Sequence, residues 1–307
     1  MNTQKKNNII GSIMLTVCAV VWGSSFVAQT TGAEFVGPFT FISLRSLLGS
    51  LSLIPVILIM NAMKKKKGTF EERTEEKKGK GFFIIGGLAC GICLCVASVL
   101  QQMGIDKGTS PGKAGFITAL YILLVPIFSI VLKKKIRPII WLCVALSLGG
   151  LYLLCVTDNS IQASDFYVLA CAVCYAVHIL VIDYVSPHVD GVKLSCMQFF
   201  VCGVLAAVPM LIFEDVSFEL IKGAALSIAY SGIMSSGVAY TLQILGQQRM
   251  NQPTVASMLM SLESVFAVIT GMIVLHQIPT SREGIGCVLM FAAIIIAQLP
   301  EKKTKRA

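Results

Sequence analysis

Two charged side chains stand inside long apolar stretches of the sequence, where they could do chemistry that their neighbours cannot. Glu263 lies ten residues after Pro253, where its apolar run begins, and Arg45 lies seven residues after Pro38. An ionised group in such a position is costly unless it is protonated, paired or wetted. Glu263 could therefore accept a proton, bind a cationic group or hydrogen-bond to the backbone. Arg45 could bind an anionic carboxylate, although pairing or extension to a polar surface is a structural alternative.

A second group of candidates combines aromatic and polar side chains at helical spacing. Trp22 and Ser25 are three residues apart, and so are Tyr175 and His178 in the second half of the chain. Residues at this spacing share one face of a helix. We predict that both faces line a binding cavity. Helix packing is the alternative for the aromatic residues, and a hydrogen bond between helices is the alternative for His178.

A third group consists of residues that recur at one separation along the chain. Gln101 and Gln243 are 142 residues apart, as are Tyr121 and Glu263, and Tyr240 lies three residues before Gln243. Buried amides in an apolar setting must find partners, so they either bridge helices or bind a solute. We include these amides and tyrosines among the cavity candidates, with bridging as the alternative for the amides.

The cysteines do not indicate a metal site or a disulfide framework. The chain has eleven, an odd number, and almost all fall inside apolar runs, where small-apolar packing is their usual role. Cys90 and Cys93, like Cys171 and Cys174, have the spacing of metal ligands, but no His or carboxylate completes either set. The sequence also lacks a Gly-rich nucleotide-binding motif. We therefore predict neither a metal nor a cofactor.

The elements that must position these residues are membrane-spanning helices. The chain of 307 residues is 55% hydrophobic and 13% charged, whereas soluble domains average about 25% charged. A bilayer core about 30 Å thick needs about 20 apolar residues of helix. We predict an all-α integral membrane protein with ten transmembrane helices. The ten runs are Ile9–Gln29, Pro38–Met60, Gly81–Met103, Ser110–Leu132, Pro138–Val156, Ser164–Val185, Lys193–Phe213, Ile221–Gln243, Pro253–Leu275 and Gly284–Leu299.

The basic residues predict the orientation of these spans. If the spans alternate, 20 of the 25 Lys and Arg residues fall on the side that holds both termini, and many of them lie in the long loop 61–80. Basic residues favour the cytoplasmic side. We therefore predict cytoplasmic termini, with anionic lipid headgroups as a secondary partner of the loop. The net charge is +9. The charged residues lie between the apolar runs and form no basic stripe with interleaved aromatic residues, which argues against nucleic-acid binding.

The two halves of the chain resemble each other. Cys18–Trp22 matches Cys171–Tyr175 at a separation of 153 residues, while later matches occur at 142. The basic loop, present only in the first half, accounts for the change. Each half contains five spans, and because five is odd, the second half enters the membrane from the opposite side. We predict two inverted units, residues 9–156 and 164–299, a plan that recurs in secondary transporters with a site near the midplane.

Several motifs resemble those of the EamA family of the drug/metabolite transporter superfamily. The resemblance covers nearly the whole chain, as two EamA-like units of five helices. It implies a ten-helix transporter of the bacterial inner membrane, with helices one to four and six to nine around a central cavity and helices five and ten at the periphery. The matching segments are Trp22–Phe26 (WGSSF), Gln101–Gly104 (QQMG), Lys113–Tyr121 (KAGFITALY) with Pro126, and Ser261–Phe266 (SLESVF).

Together these features predict a secondary transporter that moves a small amino acid-like or drug-like solute by alternating access. Glu263 is the candidate coupling site of a proton-coupled exporter. The expected partners are the solute and membrane lipids, and a homodimer is a further option. A membrane-embedded enzyme is the alternative from another class, but Ser235, Ser236 and His178 lack a Gly-x-Ser-x-Gly pattern. A receptor or scaffold is a third alternative, in which an inverted repeat would have no evident purpose.

Overall fold

The computed structural model describes residues 3–66, 79–109, 111–156, 161–250, 252–266, 269–270 and 280–299. These residues form helices joined by turns, with a π-helical segment at Ser231–Ala239 and no β-strand among them. The predicted all-α class is confirmed for this part of the chain. The α-helices are α1 (Thr3–Ala33), α2 (Pro38–Lys66), α3 (Gly79–Asp106), α4 (Pro111–Thr118), α5 (Tyr121–Val131), α6 (Pro138–Cys155), α7 (Ala163–Val185), α8 (Gly191–Phe213), α9 (Phe218–Gly223), α10 (Ala225–Tyr230), α11 (Tyr240–Met250), α12 (Pro253–Met260) and α13 (Ser281–Gln298).

Several of these helices can cross a bilayer. Within the described residues six segments are long and apolar enough, and α6 adds a shorter apolar stretch, Pro138–Leu153. The chain is therefore a multi-pass membrane protein. Most of the predicted basic loop 61–80 lies outside the described residues. The six segments are Gln4–Ala33, Pro38–Met63, Gly79–Asp106, Lys113–Val131, Ala163–His188 and Gly191–Phe213.

Seven of the predicted spans, the first to third, the fifth to seventh and the tenth, each coincide with one continuous helix, although the ends shift by a few residues. The fourth, predicted as one helix over Ser110–Leu132, is instead divided at Ala119 and Leu120 into α4 and α5. The ninth, predicted over Pro253–Leu275, is divided as well, because α12 ends at Met260, and part of its remainder lies outside the described residues.

The eighth predicted span, Ile221–Gln243, differs more. It comprises α9, α10, the π-helical segment and α11, and it continues to Met250. The helix continues past Gln243 because the polar side chains of Gln247 and Gln248 have hydrogen-bond partners within the bundle. The Gln247 side chain donates to the carbonyl oxygen of Ile179 at 3.3 Å, and that of Gln248 donates to the carbonyl oxygen of Ser186 at 2.7 Å. These bonds satisfy polar groups inside the bundle.

A tight turn joins α3 to α4. Gly108 has a φ of 103°, a left-handed conformation that glycine adopts without a side-chain clash. The N–H of Thr109 bonds the carbonyl oxygen of Gly104 at 3.0 Å, which closes the end of α3, and Pro111 begins α4. After the turn, α4 contacts α3, α6 and α7.

Glu214 fixes the start of α2 from a distant part of the chain. Its carboxylate accepts bonds from the N–H groups of Phe39 and Thr40 at 2.8 and 2.7 Å, and from the Thr40 hydroxyl at 2.6 Å. The first N–H groups of a helix have no partner within it and carry positive partial charge. A carboxylate that follows α8 therefore holds the beginning of α2 against the end of α8.

The long helices pack in pairs: α2 on α8, α3 on α7 and α8, α1 on α11, and α6 on α13. The contact between α3 and α8 is close at Gly91. A Cβ at this position would lie 2.6 Å from the Val201 Cβ and 2.9 Å from the Gln198 carbonyl oxygen. Only a residue without a side chain allows this approach, which is how small residues stabilise helix pairs in membranes.

Polar contacts define two ends of the bundle. At the first, which we call the basic end, Lys134 pairs with Asp183 near the end of α7, and Arg137 donates to the last carbonyl groups of α13. At the other end, Lys113 of α4 pairs with Asp165 of α7 at 2.5 Å. The start of α6 and the ends of α5, α7 and α13 therefore share one end.

Candidate functional site

A small cavity lies between α1, α2, α3, α4, α5, α7, α11 and α12, and nine of the ten predicted site residues line it. Its free volume is about 40 Å³. Since a buried water needs roughly 10–15 Å³, this conformation has room for a few waters but not for an organic solute. The lining residues are Trp22, Ser25, Phe26, Gln29, Arg45, Gln101, Thr118, Tyr121, Tyr175, Ile179, Ser235, Tyr240, Gln243, Met260 and Glu263.

Two broken helices reach this cavity. One break covers Ala119 and Leu120, and the other covers Ser261 and Leu262, 142 residues later. At the second residue of each break the N–H bonds the carbonyl oxygen three residues back, at 3.2 Å in both cases, rather than four back as in an α-helix. Neither break contains Pro or Gly. The same backbone geometry therefore occurs at equivalent positions of the two halves.

The residue that follows each break has a polar side chain, and these two side chains contact each other. Tyr121 begins α5 and Glu263 follows the second break. The Tyr121 hydroxyl donates to Glu263 Oε1 at 3.4 Å. Glu263 is 5% exposed, and no Lys or Arg of the described residues forms a salt bridge with its carboxyl group. A carboxyl group with one long hydrogen bond has acceptor positions left for another donor.

Aromatic side chains form one wall of the cavity. The rings of Trp22 and Tyr240 are 4.6 Å apart between centroids, at an interplanar angle of 58°. The Tyr240 hydroxyl donates to that of Tyr175 at 3.3 Å, and the Tyr175 hydroxyl lies 3.2 Å from Ser98 Oγ. The buried Trp22 Nε1 has no hydrogen-bond partner. This wall combines ring faces with a donor that is free to bind a solute.

The two repeat-related amides have different surroundings. Gln101 Nε2 donates to the Thr118 hydroxyl at 3.0 Å, so this amide joins α3 to α4. Gln243 is 1% exposed and its Oε1 is unpartnered. Ser25 donates to the Val21 carbonyl oxygen at 2.7 Å within its own helix. Gln101 therefore has a bridging contact, while Gln243 keeps an acceptor for a ligand.

Arg45 is buried, with 3% of its surface exposed, and lines the same cavity as Glu263. Its guanidinium carbon lies 5.8 Å from the centroid of the Phe41 ring, a cation–π distance. Its Nε has no hydrogen-bond partner, and no carboxylate of the described residues forms a salt bridge with it. The cavity therefore contains a cation that does not extend to a polar surface.

His178 is the one predicted site residue that does not line the cavity. It is fully buried, and its Nε2 lies 3.0 Å from Gln198 Oε1, which joins α7 to α8. Its ring is 6.3 Å from that of Tyr240. In this structure His178 occupies the helix-bridging position that was the alternative for it.

Six of the lining residues were not predicted from the sequence. Gln29 is seven residues after Trp22 and four after Ser25, so the helical period could have identified it. Thr118 and Met260 precede the two breaks at the repeat separation of 142, which is a weaker signal. Phe26, Ile179 and Ser235 carried no such signal. No cluster of three or more potential metal ligands occurs among the described residues.

The chain is similar to known proteins over nearly its whole length. The EamA-like transporter family matches residues 9–156 and 162–298. An uncharacterized transporter of Archaeoglobus fulgidus is 27% identical over 93% of this chain and 84% of its own length. The uncharacterized transporter YwfM of Bacillus subtilis is 23% identical over 98% of both chains. A solved crystal structure at 18% identity covers 94% of this chain and 96% of its own, with a TM-score of 0.73, and so has the same fold.

Proposed function

Because the chain belongs to the EamA-like transporter family of the drug/metabolite transporter superfamily, as its motifs predicted, we propose that it is a secondary transporter for a small organic solute. It works by alternating access in the bacterial inner membrane, with both termini in the cytoplasm. The central cavity is the solute site, and the two halves of the chain close around it in turn.

The observation that carries this proposal is the pair of broken helices at the cavity. A short stretch of 3₁₀ geometry inside a helix often marks a functional hinge, and a hinge at the solute site is what alternating access needs. Here both breaks have the same hydrogen bonds, and each is followed by a side chain of the Tyr121 and Glu263 pair. A packing role alone would not require the same break in both halves.

The helix contacts support an inverted repeat of two five-helix units. In the repeat, α1 corresponds to α7 and α11 corresponds to α3. The contact between α1 and α11 therefore has the contact between α7 and α3 as its counterpart. Likewise, α1 contacts α12 and α7 contacts α4, while α2 and α8, and α6 and α13, pack on their own counterparts. Such a pattern is what a two-fold axis would produce, and with an odd number of spans in each half that axis lies in the membrane plane.

The chemistry of the cavity favours an amino acid-like solute. Glu263 can accept hydrogen bonds from an ammonium group, and Arg45 can donate to a carboxylate. Trp22 and Tyr240 offer ring faces for an apolar or cationic part. Since the cavity of about 40 Å³ is too small for such a solute, we assign this conformation to a contracted state that must expand for binding.

We further propose that export is coupled to protons through Glu263. Among the described lining residues it is the one carboxylic acid, and a buried carboxylic acid can bind a proton from one side and release it to the other as its surroundings change. Solute and proton then compete for the same group. The solute leaves the cell as the proton enters.

The proposal is tested first in cells and then with purified protein. Metabolites that rise in cells lacking the protein and fall in cells overproducing it are the candidate substrates. Each is then offered to proteoliposomes, where we expect saturable flux above that of protein-free liposomes. As a matched control, Leu211→Ala changes a side chain that is 74% exposed and should leave the flux intact. The proposal fails if correctly inserted protein moves none of the candidates.

A further inference from the structure

A second pocket lies at the basic end of the bundle, separate from the central cavity. It has a free volume of about 360 Å³. Residues from the end of α5, the start of α6 and the start of α12 line it, and three of them are cationic while none is acidic. They are Ser129, Lys134, Lys135, Ile136, Arg137, Ile140, Gln252, Pro253, Thr254 and Val255.

The three cations are engaged to different degrees. Lys134 pairs with Asp183. Arg137 donates to the carbonyl oxygens of Leu299, at 2.9 Å, and Ala297, which are neutral groups and leave its charge uncompensated. Lys135 is exposed, and no acidic side chain of the described residues pairs with it. The pocket therefore has an excess of positive charge.

The start of α12 adds backbone donors to this charge. Pro253 is the first residue of the helix, and the N-cap residue Gln252 makes no side-chain capping bond. The first N–H groups of a helix lack intrahelical partners and attract anions. The start of α2 shows the contrast, because there the Glu214 carboxylate occupies the equivalent positions.

Two buried hydroxyl groups point to a missing ligand. Ser129 is fully buried and Thr254 is 5% exposed, and the side-chain oxygen of each lacks a hydrogen-bond partner. Both residues line the pocket. Serine and threonine in helices usually bond a carbonyl oxygen of the preceding turn, as Ser257 bonds the carbonyl oxygen of Thr254. A buried hydroxyl without a partner is destabilising, and an acceptor in the pocket would satisfy both hydroxyls.

We propose that this pocket binds a phosphate group. Lys135 and Arg137 supply the charge, Ser129 and Thr254 supply hydroxyl donors, and the start of α12 supplies backbone N–H groups. A phosphate has enough acceptor oxygens for all of them, whereas a chloride ion would leave most donors unsatisfied. The group belongs to an anionic phospholipid or to a soluble phosphate.

The experiment measures the thermal stability of the full-length protein in detergent as ligand is added. Sodium phosphate, against sodium chloride at equal ionic strength, probes the soluble source. Phosphatidylglycerol, against phosphatidylcholine, probes the lipid source. The test variants are Lys135→Gln and the double variant Ser129→Ala with Thr254→Val. The control is Lys133→Gln. It also removes one positive charge, and Lys133 is two residues from Lys135 but does not line the pocket.

The wild type should be stabilised by phosphatidylglycerol, by phosphate or by both, and the arm that responds identifies the source. Lys135→Gln should weaken the apparent affinity about fivefold, since one basic residue near anionic headgroups contributes about 1 kcal/mol. The double hydroxyl variant should weaken it at least about threefold, while Lys133→Gln should change it little. The proposal is overturned if neither ligand stabilises the wild type more than its control, if both pocket variants bind like the wild type, or if Lys133→Gln weakens binding as much as Lys135→Gln.

Discussion

Replacement of Glu263 by Gln is the perturbation that separates coupling from packing most sharply. Glutamine keeps the shape of the side chain and can still accept a bond from Tyr121, but it cannot take up or release a proton. Because Glu263 is the one carboxylic acid among the described residues that line the cavity, we expect one proton per transport cycle. One pH unit corresponds to about 1.36 kcal/mol, or about tenfold. A proton-coupled exporter should therefore concentrate a neutral or zwitterionic solute about tenfold on the acidic side per pH unit.

The assay is solute accumulation in proteoliposomes with an imposed pH gradient and the membrane potential held at zero. Wild-type protein should reach the tenfold ratio, whereas Glu263→Gln should reach a ratio of one while it still exchanges solute down its own gradient. Tyr121→Phe is the matched control. It removes the 3.4 Å bond, worth about 0.6 kcal/mol for an average bond between membrane helices, and keeps the carboxyl group and its gradient dependence. Equal gradient dependence in wild type and Glu263→Gln would refute the coupling role and leave Glu263 as a helix-packing residue.

Three further predictions concern the architecture. Gly91→Leu should reduce thermal stability strongly, because even a Cβ at this position would lie 2.6 Å from the Val201 Cβ, and it should lower the yield of monodisperse protein in detergent; unchanged stability would contradict the close contact of α3 with α8. Glu214→Ala should cost about 1–2 kcal/mol because it removes the cap of α2, whereas Glu219→Ala, an exposed neighbour, should cost little. A periplasm-active reporter fused after Ala307 should be inactive, and activity there would overturn the cytoplasmic position of the C-terminus.

The continuous helices could be predicted from the sequence, because apolar runs of bilayer length leave few alternatives. The two helix breaks could not. Ala119, Leu120 and Leu262 all occur readily in α-helices, so no local signal marks the first break. Ser261 is a weak signal for the second, because its hydroxyl bonds the Met258 carbonyl oxygen at 2.7 Å and such bonds often bend a helix. The π-helical segment Ser231–Ala239 was also missed, although its serines and glycines weaken the α-helical preference.

More of the site than of the helix breaks could be predicted, because many of the site residues recur in both halves of the chain. Trp22 and Tyr175, Gln101 and Gln243, and Tyr121 and Glu263 are repeat partners, and the structure brings all six to one cavity. His178 was placed there as the repeat partner of Ser25 and by its spacing from Tyr175, but neither shows which neighbour a polar side chain bonds. Its partner is Gln198 on α8, and nothing in the sequence connects the two residues.

Thiol accessibility measures whether the cavity opens alternately to the two sides of the membrane. Trp22→Cys and Tyr175→Cys are made singly in a background without native cysteines, with lipid-facing Leu211→Cys as the control, and inserted protein is treated with an impermeant thiol reagent from each side in turn. We predict that both cavity cysteines react from both sides and that candidate substrates slow the reaction, while the control stays unreactive. Cavity cysteines that react from neither side, or from one side only under all conditions, would contradict alternating access through this cavity.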